Sequence, residues 1–258
     1  MPGPAAAVAG WYGKIPALGD FASRRLPADF LNVWDAWLQD ALAASRSALG
    51  ERWKSVYLNS PIWHFALLPG VCGSSCWAGV LMPSIDKVGR HFPLTIAVPL
   101  PPHPEIIATV FAAQDWFAAI EQIALSSLDK DFSVEALETR LTATPFGPCD
   151  PLDTPERQAA REWAAWWNGA SQAPMMLNLP TPGAIAGVLG ASGVNLLLAR
   201  GCGKSLWWRH DELAGTLPLQ GFFRLPPAAH FENLLYGHGT GAKDAVRCQD
   251  HRSLCPDH

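Results

Sequence analysis

The fold class follows from one stretch of sequence, Cys76-Trp77-Ala78-Gly79-Val80-Leu81-Met82, which is almost wholly apolar and carries no charge. Similar apolar runs precede and follow it, at residues 62–68 and 92–98, and each run is bounded by Gly or Pro. A strand that is apolar at successive positions, rather than at alternate ones, has both of its faces buried. The three runs therefore predict the centre of a sheet that is covered on both sides.

Helical patterns flank these strands. Between residues 27 and 49, apolar side chains recur at steps of three and four, as in an amphipathic helix. The same spacing follows the Pro-rich hinge 99–104 and predicts one long helix, through Ile106, Val110, Ala113, Phe117, Ile120 and Ala124.

Shorter elements complete the pattern. Helices are predicted at 133–141 and 227–235, and another begins where Thr154 caps and Pro155 occupies the first turn. A hairpin is predicted between 194–199 and 205–209. Because helices and buried strands alternate, we expect the α/β class, as a single-domain α/β/α sandwich with helices packed on a mixed, largely buried sheet. This domain would span residues 1–236, followed by a disordered tail at 237–258.

The composition excludes several classes of protein. Of the 258 residues, 49% are hydrophobic and 16% are charged, which is typical of a globular chain, and the net charge of −4 argues against a nucleic-acid partner. No apolar stretch is long enough to span a membrane, so direct membrane insertion is not expected. The start carries no basic segment typical of a secretory signal, and the six Cys are irregularly spaced. We therefore expect a cytoplasmic protein with reduced thiols.

Three motifs suggest chemistry, but each is incomplete. Residues 201–205, which end in Lys204 and Ser205, resemble the end of a phosphate-binding loop, yet the first Gly of that motif is missing and a strand follows. Gly190-Ala191-Ser192-Gly193 comes close to a nucleophile elbow, but Val194 stands where the last Gly of that motif is required. A zinc-type ligand pattern occurs in the tail, at Cys248, His251, Cys255 and His258, with an unusually short central spacing, whereas Cys72 and Cys76 have no nearby His other than His64. We predict no catalytic residue, no metal site and no cofactor.

Two polar loops are the better candidates for function. The first carries Lys14, Asp20 and Arg24 after a predicted aromatic strand, and Asp20 is spaced to bridge Arg24 across a turn. The second, between two buried strands, carries Ser84, Asp86 and Arg90, where Arg90 could clamp Asp86 or reach the first loop. Loops on a rigid scaffold often carry binding function, but a structural salt bridge and a stapled turn are the alternatives.

These two loops carry a family resemblance. Residues 10–27, with their Gly-Lys-Ile-Pro and Gly-Asp-Phe elements, resemble the opening of TagF proteins. Residues 79–94 look like the second signature of that family, and the similarity extends at lower specificity to 205–208 and 231–235.

The resemblance implies a compact α/β sandwich and an association with the bacterial type VI secretion system. TagF proteins act as post-translational repressors of assembly, for some members through a cytoplasmic scaffold protein with a forkhead-associated domain. No catalytic residues are implied. We therefore expect a non-enzymatic, cytoplasmic accessory or regulatory protein that acts through protein–protein contacts.

In this interpretation, six residues form one partner-binding surface: Lys14, Asp20, Arg24, Ser84, Asp86 and Arg90. The alternative is a small cytosolic enzyme, either a hydrolase or a nucleotide-binding protein that uses Lys204 and Ser205. A third possibility places the interface at an exposed Trp patch around Trp166 or Trp167, which are adjacent and cannot both face the same side of a helix.

Overall fold

The computed structural model describes residues 7–101, 106–129, 131–147, 155–168, 174–177, 179, 185, 187–190, 192–193, 201–210 and 215–237. Seven strands in these residues form one sheet, with the order β2-β1-β5-β4-β3-β6-β7. The strands in chain order are β1 (Gly10–Gly13), β2 (Ala22–Arg24), β3 (Trp63–Leu67), β4 (Cys76–Met82), β5 (Leu94–Leu100), β6 (Lys204–Trp208) and β7 (Leu219–Phe223).

The sheet confirms the α/β class but is not mixed, because every strand pairing in it is antiparallel. The connections explain this difference. Only residues 68–75 join β3 to β4, and only residues 83–93 join β4 to β5. Neither connection holds the helical crossover that neighbouring parallel strands require. The three predicted central strands are confirmed, and β3 and β4 are buried along their whole lengths.

One face of the sheet is covered by α1 (Ala28–Leu49), α2 (Trp53–Leu58) and the C-terminal α7 (Phe231–Tyr236). Aromatic rings fill this layer, with Trp34 of α1 stacked on Trp207 of β6 at 5.9 Å between ring centroids. The Trp34 Nε1–H donates to Thr95 Oγ1 at 2.8 Å. A bulky indole is therefore buried without leaving its one polar atom unpaired.

The opposite face is covered by α3 (Ile106–Ala112), α4 (Gln114–Ser126) and α5 (Val134–Ala143). The prediction of one long helix over 106–124 was wrong in one respect, because the helix breaks at Ala113, whose ψ of 36° is not helical. The predicted apolar stripe is nevertheless buried on both sides of the break. The predicted helix at 133–141 is confirmed as α5, with the Ser133 hydroxyl accepting from the Ala136 N–H at 3.1 Å.

Some of the remaining predictions concern residues that the structure describes, and others lie outside them. Helix α6 (Pro155–Asn168) begins where it was predicted, but its capping Thr154 lies outside the described residues, as do 194–199 and the tail from 238. The predicted strand at 205–209 is β6, which pairs with β3 and β7. Among the helices that the structure describes, none is both long and apolar enough to cross a bilayer.

Gly79, in the centre of β4, shows how closely the neighbouring strands pack around it. It lies opposite Phe65 on one side and Ala97 on the other. A Cβ at this position would meet the Ile96 carbonyl oxygen and would lie 2.8 Å from Phe65 Cζ. The sheet therefore has no room for a methyl group there.

We expect Gly79→Ala to lower the free energy of unfolding by about 2 kcal/mol or more, because the clash involves main-chain atoms that cannot rotate away. Urea unfolding measures the change. Gly221→Ala in β7 is the matched control, since among the described residues a Cβ there meets only the Leu206 side chain, at 3.8 Å. Equal losses in the two variants would contradict this description of the sheet.

Candidate functional site: two loops joined by a buried carboxylate

The topology brings the two polar loops together. The first loop, residues 14–21, leaves β1, and the second loop, residues 83–93, joins β4 to β5. Strand β5 pairs with both β1 and β4, and Tyr12 and Leu81 both lie opposite Thr95 near its beginning. Both loops therefore emerge at the same end of the sheet, although they are far apart in the sequence.

The two loops contact each other in what we call the junction, and Asp86 lies at its centre. Its Oδ2 accepts from Lys14 Nζ at 2.8 Å and from Arg90 Nε at 2.6 Å. Its Oδ1 accepts from the backbone N–H groups of Val88 at 3.1 Å and Arg90 at 2.8 Å. Asp86 and Lys14 are both buried, so the carboxylate is a charge in the interior whose two oxygens are fully used within the chain.

The pKa of Asp86 reflects this arrangement. Burial raises the pKa of the carboxyl, but the hydrogen bonds from Lys14, the Arg90 backbone and side chain, and Val88 outweigh burial and hold the pKa well below its ordinary range. The group is therefore ionised at neutral pH.

Further bonds tie the loops to each other. The Lys87 N–H donates to the Leu18 carbonyl at 2.9 Å, and the Arg90 guanidinium donates to the Gly19 carbonyl. Arg90 Nη2 also lies 4.0 Å from Asp20 Oδ1. Arg90 thus makes both of the contacts considered from the sequence: it clamps Asp86 and it reaches the first loop.

Ser84 anchors the second loop to helix α2. The Tyr57 hydroxyl donates to the Ser84 carbonyl at 2.9 Å and accepts from the Ser84 N–H at 3.0 Å. Ser84 is buried, and among the described residues its hydroxyl oxygen has no hydrogen-bond partner. Its position favours a structural role over direct contact with a partner.

Arg24 is not part of this junction. It lies in β2 opposite Trp11, whose side chain belongs to the core on the α5 side of the sheet. Hydrogen bonds to its own backbone and to Ser133 lower the pKa of Glu135. Burial raises the pKa of Glu138, but hydrogen bonds from Arg25 and Trp11 outweigh it. The positive charge of Arg24 adds a smaller lowering to both pKa values. The bridge from Asp20 to Arg24 is not formed, because the Asp20 carboxylate accepts from the Phe21 N–H and faces Arg90.

The candidate residues predicted from the sequence did not include two exposed apolar residues of the same loops. Phe21 is 47% exposed and Val88 is 71% exposed, although both lie within the two loops. The Phe21 ring packs edge-on against Phe92 at 4.7 Å, and Lys14 Nζ lies 4.6 Å from its centroid. A large apolar residue inside a charged loop is the sequence signal that would have identified them.

The alternative sites gain little from the structure. Lys204 and Ser205 begin strand β6, so no helix N-terminus follows them to face a phosphate. The Ser205 hydroxyl is buried and donates to the Arg224 carbonyl at 2.6 Å. Trp166 is half-buried and packs against Trp163, while the side chain of Trp167 lies outside the described residues.

The candidate zinc ligands of the tail also lie outside the described part of the chain. Within the described part, no group of three His, Cys, Asp or Glu residues is placed to hold a metal ion.

We expect Lys14→Met to lower the melting temperature by roughly 10 °C, because it removes the buried partner of the Asp86 carboxylate. Lys87→Met is the matched control: Lys87 lies in the same junction but is exposed, so its loss should shift the melting temperature by less than about 2 °C. Thermal unfolding followed by circular dichroism compares the two. Similar shifts would show that the ion pair does not hold the junction.

The pKa of Asp86 also predicts a pH dependence. Because the pKa is lower in the folded than in the unfolded protein, ionised Asp86 stabilises the fold above about pH 4, and this stabilisation is lost as the pH falls towards the folded-state value. The gap in urea midpoint between wild type and Asp86→Asn should therefore be constant from about pH 7 to 5 and shrink below about pH 4. At neutral pH, Asp40→Asn should shift the urea midpoint much less than Asp86→Asn does, because Asp40 is exposed. A gap that widens in acid would contradict the assignment.

Comparison with known proteins identifies the family. The model of the TagF N-terminal domain, described as type VI secretion system-associated, matches residues 10–144. The crystal structure of PA0076 from Pseudomonas aeruginosa PAO1 is similar to this chain, with a TM-score of 0.67 and 33% sequence identity, and the match covers 90% of this chain and 95% of that one. No curated protein matches this chain. Because the family match spans more than half of the chain and contains both loops of the junction, the protein belongs to the TagF family of type VI secretion system-associated proteins.

Proposed function

We propose that this protein is a non-enzymatic, cytoplasmic regulator that represses assembly of the type VI secretion system by binding one of its components. The surface around the joined loops is the proposed contact. The observation that carries the proposal is the combination, within the family-matched region, of a buried ionic junction with exposed apolar residues above it.

The buried charges serve to hold the loops in one conformation. Lys14 and Asp86 are paired in the interior, and Ser84 is fixed to Tyr57. These residues are not available to touch a partner directly. They limit the entropy that the loops would lose on binding, since a surface that is already ordered binds at lower cost.

The exposed residues supply the contact itself. We define the loop surface as Phe21 and Val88, which are apolar, together with Asp20 and Arg90, which are charged. The backbone bond from Lys87 to Leu18 joins the two loops next to these side chains. An aromatic anchor and an Arg beside a charged rim are typical of protein–protein interfaces.

The engagement of the ionisable groups supports a non-enzymatic role. Both oxygens of Asp86 already accept two hydrogen bonds each, and Lys14 and Arg90 are donors to them. A general base or nucleophile needs a group that is free to exchange a proton with substrate. In this junction, the same groups stabilise the loops.

The partner that the family resemblance implies is a cytoplasmic scaffold protein with a forkhead-associated domain. We extend the proposal to this partner and assign the loop surface as its binding site on the present protein. Arg90 would contribute charge-assisted hydrogen bonds, and Phe21 and Val88 would be buried on binding.

We expect a Val88→Asp/Phe21→Ala double variant to lose repression of secretion and to bind the purified scaffold protein about 100-fold more weakly, because two interface anchors are removed. Calorimetry measures the affinity, and release of a secreted type VI component measures repression. Leu125→Asp, at an exposed apolar position on α4 across the sheet, is the matched control and should behave as wild type.

Melting temperatures establish that each variant is folded. A folded double variant that binds and represses like wild type would reject the loop surface. Wild-type protein that represses secretion but does not bind the scaffold protein would reject that partner and leave the regulatory role standing.

A further inference from the structure

The two edges of the sheet differ in how they are protected. Within the described part of the chain, β2 and β7 are the outermost strands, so each has one side that pairs with no other strand. An unpaired strand edge presents backbone N–H and C=O groups that can pair with another chain. Proteins commonly prevent this with short edge strands, charged side chains or proline.

Strand β2 has such protection. It is three residues long, Ala-Ser-Arg, and its last residue is the exposed Arg24. Arg25 follows at once in a left-handed conformation, with a φ of 60°, which ends the extended backbone. This edge is too short and too charged to accept another strand readily.

Strand β7 is less protected within its own length, although Pro218 precedes it and Arg224, with a φ of 62°, follows it. Its sequence, Leu-Gln-Gly-Phe-Phe, is five residues long and has no charge and no proline. Leu219 is 55% exposed and Phe223 is 71% exposed. An uncharged edge strand with exposed apolar side chains is open to pairing with a further strand.

We propose that β7 pairs with β7 of a second copy of this chain, in an antiparallel arrangement whose two-fold axis passes between the two Gly221 residues. In that register, Leu219 of each chain lies opposite Phe223 of the other, and Gln220 lies opposite Phe222. The sheets of the two chains then form one continuous sheet. Closed two-fold symmetry is the commonest form of oligomer.

The sequence of β7 suits pairing with itself. In an antiparallel strand pair about a two-fold axis, the central residue lies opposite its own symmetry mate, so a charge at the centre would be repelled by its own copy. Strand β7 has Gly221 at the centre and no charge on either side. Aliphatic–aromatic pairs across strands are favourable, and the two-fold axis creates this pair twice.

The proposed dimer leaves the loop surface free. Strand β7 is at one end of the strand order, whereas the loops of the junction join β1 to β2 and β4 to β5, towards the other end. A dimer formed through β7 therefore carries two loop surfaces at its outer ends. A partner with two binding sites would be held more tightly by such a dimer than by a monomer.

Sedimentation velocity over a range of concentrations up to about 100 µM tests the dimer. We expect wild type to shift from monomer to twice the monomer mass as concentration rises. Phe223→Lys should weaken dimerisation about tenfold or more, since it removes both apolar pairs. Adding Leu219→Glu to Phe223→Lys should restore dimerisation at low salt, because the two introduced charges face each other only in the proposed register.

Val88→Lys is the matched control: Val88 is as exposed as Phe223 but lies at the loop surface, so this variant should dimerise like wild type. Wild-type protein that remains monomeric at the highest concentration would overturn the proposal. A wild-type dimer that Phe223→Lys leaves unchanged would equally overturn it, because the interface would lie elsewhere. A double variant that stays as weak as Phe223→Lys alone would reject the register through Gly221.

Discussion

The burial of strand β4 on both faces is the constraint on which the rest of the structure depends. Every residue of β4 is buried, so the chain must supply an apolar layer on each side of the sheet. Helices α1, α2 and α7 form one layer, and α3, α4 and α5 form the other. Within the sheet, the strands pack closely at Gly79, where the Ile96 carbonyl oxygen and the Phe65 ring occupy the space that a side chain would need.

The same layered sheet sets the position of the functional candidate. Because β5 lies between β1 and β4, the loops that leave β1 and β4 meet at one end of the sheet. Asp86 joins them from a buried position, which is possible because four hydrogen bonds compensate for the loss of water around its charge. Phe21 and Val88 then remain at the surface of a fixed structure, and such a surface suits the binding of another protein.

Elements with a strong local pattern were predictable. The three central strands and the apolar stripe of α3 and α4 follow from hydrophobic periodicity, which depends only on neighbouring residues. Strands β2 and β7 were not predicted, because Ala-Ser-Arg and Leu-Gln-Gly-Phe-Phe lack a regular alternation of apolar and polar residues and become strands by pairing with β1 and β6. The break at Ala113 was missed for a similar reason, since alanine by itself favours a continuous helix.

The sequence by itself determined the class of fold, the buried centre of the sheet and the two polar segments that carry the family signatures, since each is encoded in contiguous residues. Only the tertiary structure decided how those segments work. It placed Lys14 against Asp86, 72 positions away, buried Lys14, Ser84 and Asp86, and placed Arg24 in β2 opposite Trp11, outside the junction. Strand order and burial are properties of the whole chain, so no local pattern could distinguish a charge that holds the loops from one that faces a partner.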